Sequence, residues 1–154
     1  MNKILFVCLG NICRSPSAQG VFQAKINKMG LADQFFIDSA GTAAWHIGKS
    51  PDSRSVLAAQ ARGYDLSALQ ARQVDDTDFE RFDYILAMDA DNLQNLQESC
   101  PKGYLNKLAL FLPYGEFPET FVPDPYYGGS QGFERVLDLL ESASDGFIKQ
   151  LFQV

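Results

Sequence analysis

Cys8 and Arg14 stand six positions apart in Val7-Cys8-Leu9-Gly10-Asn11-Ile12-Cys13-Arg14-Ser15-Pro16, between an apolar run at 3–7 and a segment with helical spacing. A thiol attacks as its thiolate, a form favoured at a helix N-terminus beside a cation. Successive backbone N–H groups entering a helix make a concave nest for an anion, with the helix dipole behind them. The five residues between Cys8 and Arg14, which are Leu9, Gly10, Asn11, Ile12 and Cys13, suffice to wrap once around a tetrahedral anion such as a phosphoryl group. Arg14 then closes the ring with two parallel donors. Gly10 allows close approach of the backbone, and Asn11 is among the few non-glycine residues that tolerate positive φ. Ser15 can hydrogen-bond the Cys8 sulfur and favour its charged form. Pro16 falls in the first helical turn, where its missing N–H costs nothing. A bare Cys-x5-Arg is a weak signal; the preceding strand, the Gly-Asn pair, the Ser-Pro pair and the following helix are what single this one out.

A covalent phosphocysteine route needs an acid as well, because charge builds on the departing oxygen. One carboxyl serves both steps, first protonating the leaving group and then taking a proton from the attacking water. Asp124, in Val122-Pro123-Asp124-Pro125-Tyr126-Tyr127-Gly128-Gly129, lies between two prolines, and Pro125 holds its backbone extended. Alone, Pro-Asp-Pro reads as an ordinary turn; beside the nucleophile loop it reads as the acid. Tyr126 and Tyr127 either pack on a helix or wall a slot for a phenyl ring, and the favoured reading puts one of the pair in the slot.

The elements that must position these groups are legible as alternating apolar runs and helical patterns. The run 3–7 is a buried parallel strand. A helix over 17–29 turns Ala18, Phe22, Ile26 and Met29 inward and stops at Gly30. Strand 35–39 leads into Ala40-Gly41-Thr42. Asp52 or Ser53 caps a helix that covers Val56 and Leu57 and ends at Gly63. A brief acidic helix over 76–82, a strand over 84–88, a helix capped by Asp89 with Leu93, Leu96 and Cys100 on its core side, and a strand over 108–112 follow. After a long loop over 113–129, a last helix faces the core with Phe133, Val136 or Leu137, Leu140, Phe147 and Leu151. This alternation predicts an α/β fold, a four-stranded parallel sheet flanked by helices on both faces with the phosphate loop after strand one. Such sheets bind ligands beyond the carboxyl ends of their strands, where Cys8 sits.

At 154 residues and 46% hydrophobic, the chain is predicted to form one domain over 1–154 with a full core. A strand begins almost at once, without a charged segment leading into a long apolar one, and no stretch of roughly 18 apolar residues occurs, so neither export nor a membrane is expected. Three cysteines are too few for a disulfide framework, which points to a reducing compartment, the cytoplasm. A net charge of −6 without a Lys/Arg stripe argues against nucleic acid. It also means that an anionic substrate must be drawn by a local positive pocket, since the overall field opposes it.

Together these segments resemble the low-molecular-weight protein tyrosine phosphatases. The resemblance rests on 7–15, Ser39-Ala40-Gly41-Thr42, Trp45-His46, Ala71-Arg72-Gln73, 82–89 and Asp124-Pro125-Tyr126-Tyr127-Gly128. It implies a four-stranded parallel sheet, no metal and no cofactor, Cys8 as nucleophile, Arg14 as transition-state clamp and Asp124 as acid and base. It implies too that Asn11, Ser15 and Ser39 tie down the phosphate loop. Trp45, with Tyr126 and Tyr127, is then expected at the pocket rim, and Cys13 as the redox partner that forms a reversible disulfide with Cys8. Leu69 stands where many members carry a histidine bonded toward the loop serine, so that support of Ser15 is absent or supplied otherwise. Gln19 stands where bacterial relatives commonly have glutamate.

The activity so implied is hydrolysis of protein phosphotyrosine, with a phosphotyrosine-containing protein, a bacterial tyrosine kinase among the candidates, as partner. Ile12 is apolar where the arginine-phosphatase branch has threonine, which favours phosphotyrosine over phosphoarginine. An arsenate reductase on the same fold needs a relay of further cysteines, and only Cys100 is available downstream. A phosphate-binding module without turnover would not need Asp124. Cys100 reads as core and His46 as a surface or hinge residue. A monomer is expected, with an aromatic rim that would support weak self-association.

Overall fold

The computed structural model describes residues 1–125 and 129–152. Strands β1 (Asn2–Cys8), β2 (Phe35–Gly41), β3 (Tyr84–Ala87) and β4 (Leu108–Leu110) form one sheet in the order β2-β1-β3-β4, with every neighbouring pair parallel. From β1 the chain crosses to one side to form β2 and to the other to form β3. The carboxyl end of β1 is therefore the place where strand order reverses and a crevice opens. Cys8, the last residue of β1, pairs with Gly41, the last of β2.

Both faces of the sheet are covered, which is why β1 and β3 read as continuous apolar runs. Ile4 and Phe6 point to a core shared with α1 (Arg14–Lys28) and α5 (Ser130–Phe152), and α2 (Ser53–Ala61) packs on both of these helices. Leu5 and Val7 point the other way, to a smaller core with Phe79 and Leu96 from α3 (Asp78–Arg81) and α4 (Ala90–Ser99). Among the described residues, the 3-10 turns Ala32–Gln34, Lys102–Lys107 and Leu112–Tyr114 complete the elements. Among the described residues no helix is long and apolar enough to cross a membrane.

The predicted fold class stands, and the departures are local. Helix α1 starts at Arg14, three residues before the predicted start, so Ser15 and Pro16 are already helical and the anion loop feeds directly into the first turn. Met29, predicted to face inward, is the C-cap of α1 and exposed, because Gly30 takes φ 72° and turns the chain away. The fourth strand ends at Leu110, two residues early, and the chain tightens into the Leu112–Tyr114 turn. Cys100 lies at the edge of the smaller core, half-buried at the end of α4. Val136 and Leu137, offered as alternatives, are both buried.

Candidate active site

The loop after β1 is held by its carbonyl groups. Thr42 N–H donates to Cys8 O and Ala43 N–H to Leu9 O at 2.9 Å each, Asp52 N–H donates to Ile12 O at 2.8 Å, and both the N–H and the hydroxyl of Ser17 donate to Cys13 O. With four carbonyls turned outward, the amides of Leu9, Gly10, Ile12 and Cys13 make no backbone hydrogen bond among the described residues. Unpaired donors crowded at a helix N-terminus are a site for an anion. Asn11 carries the loop's turn at φ 57°, and its N–H donates to the Cys8 sulfur at 3.3 Å.

Gly41 backs the loop at contact distance. A Cβ there would lie 2.7 Å from Leu9 O and 3.2 Å from Asn11 N, so only glycine lets β2 end this close to the ring.

The Asn11 side chain locks the turn. Its Nδ2 donates to Ser15 Oγ at 2.8 Å and to Ser39 Oγ at 3.0 Å, and its Oδ1 accepts from Arg72 N–H at 3.0 Å. Ser39 Oγ in turn donates to Gln19 Oε1 at 2.6 Å. Because Ser39 gives its hydrogen to Gln19, its oxygen faces Asn11 as an acceptor. Ser15 likewise accepts from Asn11, and its hydroxyl shares a hydrogen bond with the Cys8 sulfur at 3.0 Å and lies 3.5 Å from Ala40 O. The Asn11–Ser39–Gln19 chain therefore supports Ser15 without the histidine for which Leu69 stands.

Arg14 is 3% exposed, and its Nη1 is doubly anchored, by Asp89 Oδ2 at 2.6 Å and Val122 O at 3.0 Å. Its Nη2 lies 3.7 Å from Asp124 Oδ2, and its Nε has no partner among the described residues. The Nε/Nη2 edge, a fork matched to two oxygens of one anion, is the edge not spent on Asp89. Burial alone would loosen the guanidinium proton; the Cys8 sulfur and the Asp89 carboxylate outweigh it and raise the Arg14 pKa, so the cation persists. Asp89 also accepts from Asn92 N–H at 2.7 Å and so caps α4. Asp124 is carried between two buried residues, Val122 and Pro125, with Val122 N–H donating to Met88 O at 2.7 Å.

Cys8, Leu9, Gly10, Ile12, Cys13, Arg14, Trp45, His46 and Asp124 line one cavity of about 290 Å³. The structure thus gathers the proposed nucleophile, cation and acid from positions 8, 14 and 124. Trp45 is exposed at the mouth, and His46, predicted as a surface or hinge residue, is a half-buried wall over Gly10. Tyr126 and Tyr127 lie outside the described residues. Cys13 is buried, and burial above all, with Asp52 and Cys8 nearby, pushes its thiol up to about 12. Sequence reasoning missed the hold of Asp89 on Arg14 and the place of Gln19 and Arg72 behind Asn11. The Asp89 cap signal and the Ala71-Arg72-Gln73 match were visible, but not their partners.

A cysteine at the carboxyl end of the first strand, an amide-lined loop and an anchored arginine define an α/β protein with an anion site beside a cysteine. The family model of low molecular weight phosphotyrosine protein phosphatases matches residues 3–153, and the chain belongs to that family. A Synechocystis sp. protein carrying the family's name is 48% identical over 97% of this chain and 96% of its own. The low molecular weight phosphotyrosine protein phosphatase of Schizosaccharomyces pombe is 44% identical over 97% of this chain and 96% of its own. A crystal structure of a protein tyrosine phosphatase from Entamoeba histolytica, with Hepes in the active site, superposes with a TM-score of 0.97 at 44% identity, covering 99% of this chain and 98% of that one.

Proposed function

We propose that this chain hydrolyses the phosphotyrosine of proteins through a phosphocysteine on Cys8. Membership of a protein tyrosine phosphatase family supports the activity; the observation that carries the mechanism is the single cavity shared by the Cys8 sulfur, Arg14 and Asp124. The phosphoryl group lies among the loop amides with two oxygens on the Nε/Nη2 edge of Arg14. The Cys8 thiolate attacks phosphorus, the S–P bond forms as the P–O bond breaks, and the Asp124 carboxyl gives its proton to the departing phenolate. Water then attacks phosphorus, Asp124 takes a proton from it, and the S–P bond breaks to return the thiolate and free phosphate. Loop amides and Arg14 are fixed before the reaction, so charge on the equatorial oxygens is met without reorganisation. Ile12 in the cavity wall and Trp45 at its mouth offer apolar surface to a phenyl ring. A relative of 31% identity is named as a Drosophila arginine phosphatase; the apolar Ile12 is the reason for assigning tyrosine here. The partner is a phosphotyrosine protein met in the cytoplasm, a bacterial tyrosine kinase being one such substrate.

The test is release of p-nitrophenol from p-nitrophenyl phosphate with reductant and without added metal, in wild type, Cys8→Ser and Asp124→Ala. Turnover is expected to vanish in Cys8→Ser and to fall about 10²–10⁴-fold in Asp124→Ala. An inert wild type would overturn the reading.

A further inference from the structure

Arg14, Asp89, Asp91 and Asp124 also line two adjoining depressions, one walled further by Asn92, Gln94 and Asn95 of α4 and the other by Leu110 and Phe121. Their charged groups besides Arg14 are carboxylates, those of Asp89, Asp91 and Asp124. Arg14, the one cation in the wall, already has Asp89 at 2.6 Å. An acidic residue in the first turn of a helix is ordinary, and Asp91 by itself says nothing more. Asn92 adds a separate fact. It is 2% exposed, and its Oδ1 is buried with no hydrogen-bond partner among the described residues. A buried acceptor without a donor is costly, and this one belongs to a residue that lines the first depression. In the adjoining depression Phe121 is 53% exposed, an uncovered aromatic face.

Donors without acceptors, carried on an apolar stem, describe lysine and arginine. Among the described residues no group of three His, Cys, Asp or Glu side chains is placed to hold a metal ion. Resting on the phosphatase reading above, we propose that this groove is a subsite for a basic residue next to the phosphotyrosine of the substrate. The cationic head meets Asp91 and Asn92 Oδ1, and the stem or guanidinium lies on the Phe121 ring. Substrate choice is then set on the α4 side of the general acid as well as at the rim by Trp45.

Three phosphopeptides that differ only in carrying Lys, Ala or Glu beside the phosphotyrosine separate the outcomes, assayed at low and moderate salt with p-nitrophenyl phosphate in parallel. Wild type is expected to favour Lys over Ala by about fivefold in kcat/KM, mostly through KM, and to disfavour Glu, with the preference shrinking as salt rises. In Asp91→Asn the Lys/Ala ratio is expected to fall to about one, and in Phe121→Ala to drop by about half. Each ratio is internal to one variant, so a loss of folded protein does not imitate the result. Equal use of the Lys and Ala peptides by a wild type that cleaves p-nitrophenyl phosphate would overturn the subsite alone, as would an undiminished ratio in Asp91→Asn. A wild type inert on p-nitrophenyl phosphate would overturn the phosphatase reading and the subsite with it.

Discussion

Asn11 spends all three of its side-chain bonds on holding a left-handed turn, and they tie that turn to Ser15, Ser39 and Arg72. Cys13, two positions on in the same loop, is in the opposite condition. Its thiol is pushed up to about 12 by burial, so its thiolate fraction at pH 7 is on the order of 10⁻⁵. If Cys13 captures a Cys8 sulfenic acid formed by peroxide, expelling water as the S–S bond forms, the thiolate is the attacking species. Closure is therefore expected to quicken about tenfold for each pH unit from 7 to 9. Rapid quenching, with counting of free thiols and of activity recovered by reductant, checks this; a rate flat in pH would show that Cys13 is not the attacking group. At this scale the sequence was legible where chemistry is local. Cys8, Asn11, Arg14 and Ser15 announce themselves within one loop, and Asp124, in what alone reads as an ordinary turn, is singled out only beside that loop. The groups that aim them were not legible, because Asp89 meets Arg14 across 75 positions, Arg72 meets Asn11 across 61 and Gln19 meets Ser39 across 20.

Asp52 links one element to the loop. It caps α2 by accepting from Arg54 N–H at 2.8 Å, while its own N–H holds Ile12 O at 2.8 Å. The Arg54 side chain and the cap amide hold its carboxyl below the usual carboxylate range, against the effect of its partial burial. A carboxyl depressed in the folded state stabilises above the unfolded value, and the benefit is lost as pH falls through the folded one. Asp52→Ala is expected to cost about 1 kcal/mol at pH 7 in urea unfolding, with the gap to wild type closing as pH drops below about 4. A gap constant from pH 7 to pH 3 would mean that the carboxylate charge contributes nothing. The cap itself was readable, as was that of Asp89, because capping is a rule about neighbours in sequence. Helix starts and strand ends were less so. Ser15 and Pro16 suit both a loop and a first turn, and only the outward-held carbonyls of 12 and 13 fix the start of α1 at Arg14. Leu112 is as apolar as a strand residue and is buried, but it belongs to a 3-10 turn that redirects the chain under α5.

That crossing ties the last helix to the sheet. Phe147 on α5 meets Tyr114 at 4.8 Å and Tyr84 at 5.2 Å between ring centroids, joining the last helix to the turn after β4 and to β3. Between the rings the backbones themselves touch: a Cβ on Gly146 would lie 1.7 Å from Tyr114 O and 2.7 Å from its carbonyl carbon, and one on Gly115 would lie 2.9 Å from Ala143 N. Helix propensity and packing therefore give opposite signs for Gly146→Ala. In a free helix the change stabilises by about 1 kcal/mol. Here the methyl group must push α5 off a rigid carbonyl, and α5 carries Val136, Leu137, Leu140 and Phe147 into the larger core. Overpacking against backbone costs about 3 kcal/mol or more, so packing wins. Gly146→Ala is expected to lower the urea midpoint sharply, whereas Gly103→Ala, with nothing within 4 Å of the new methyl, is expected to stay within about 0.5 kcal/mol of wild type. A Gly146→Ala protein as stable as the parent would mean that α5 does not sit on the Tyr114 carbonyl, and that the larger core closes in some other way.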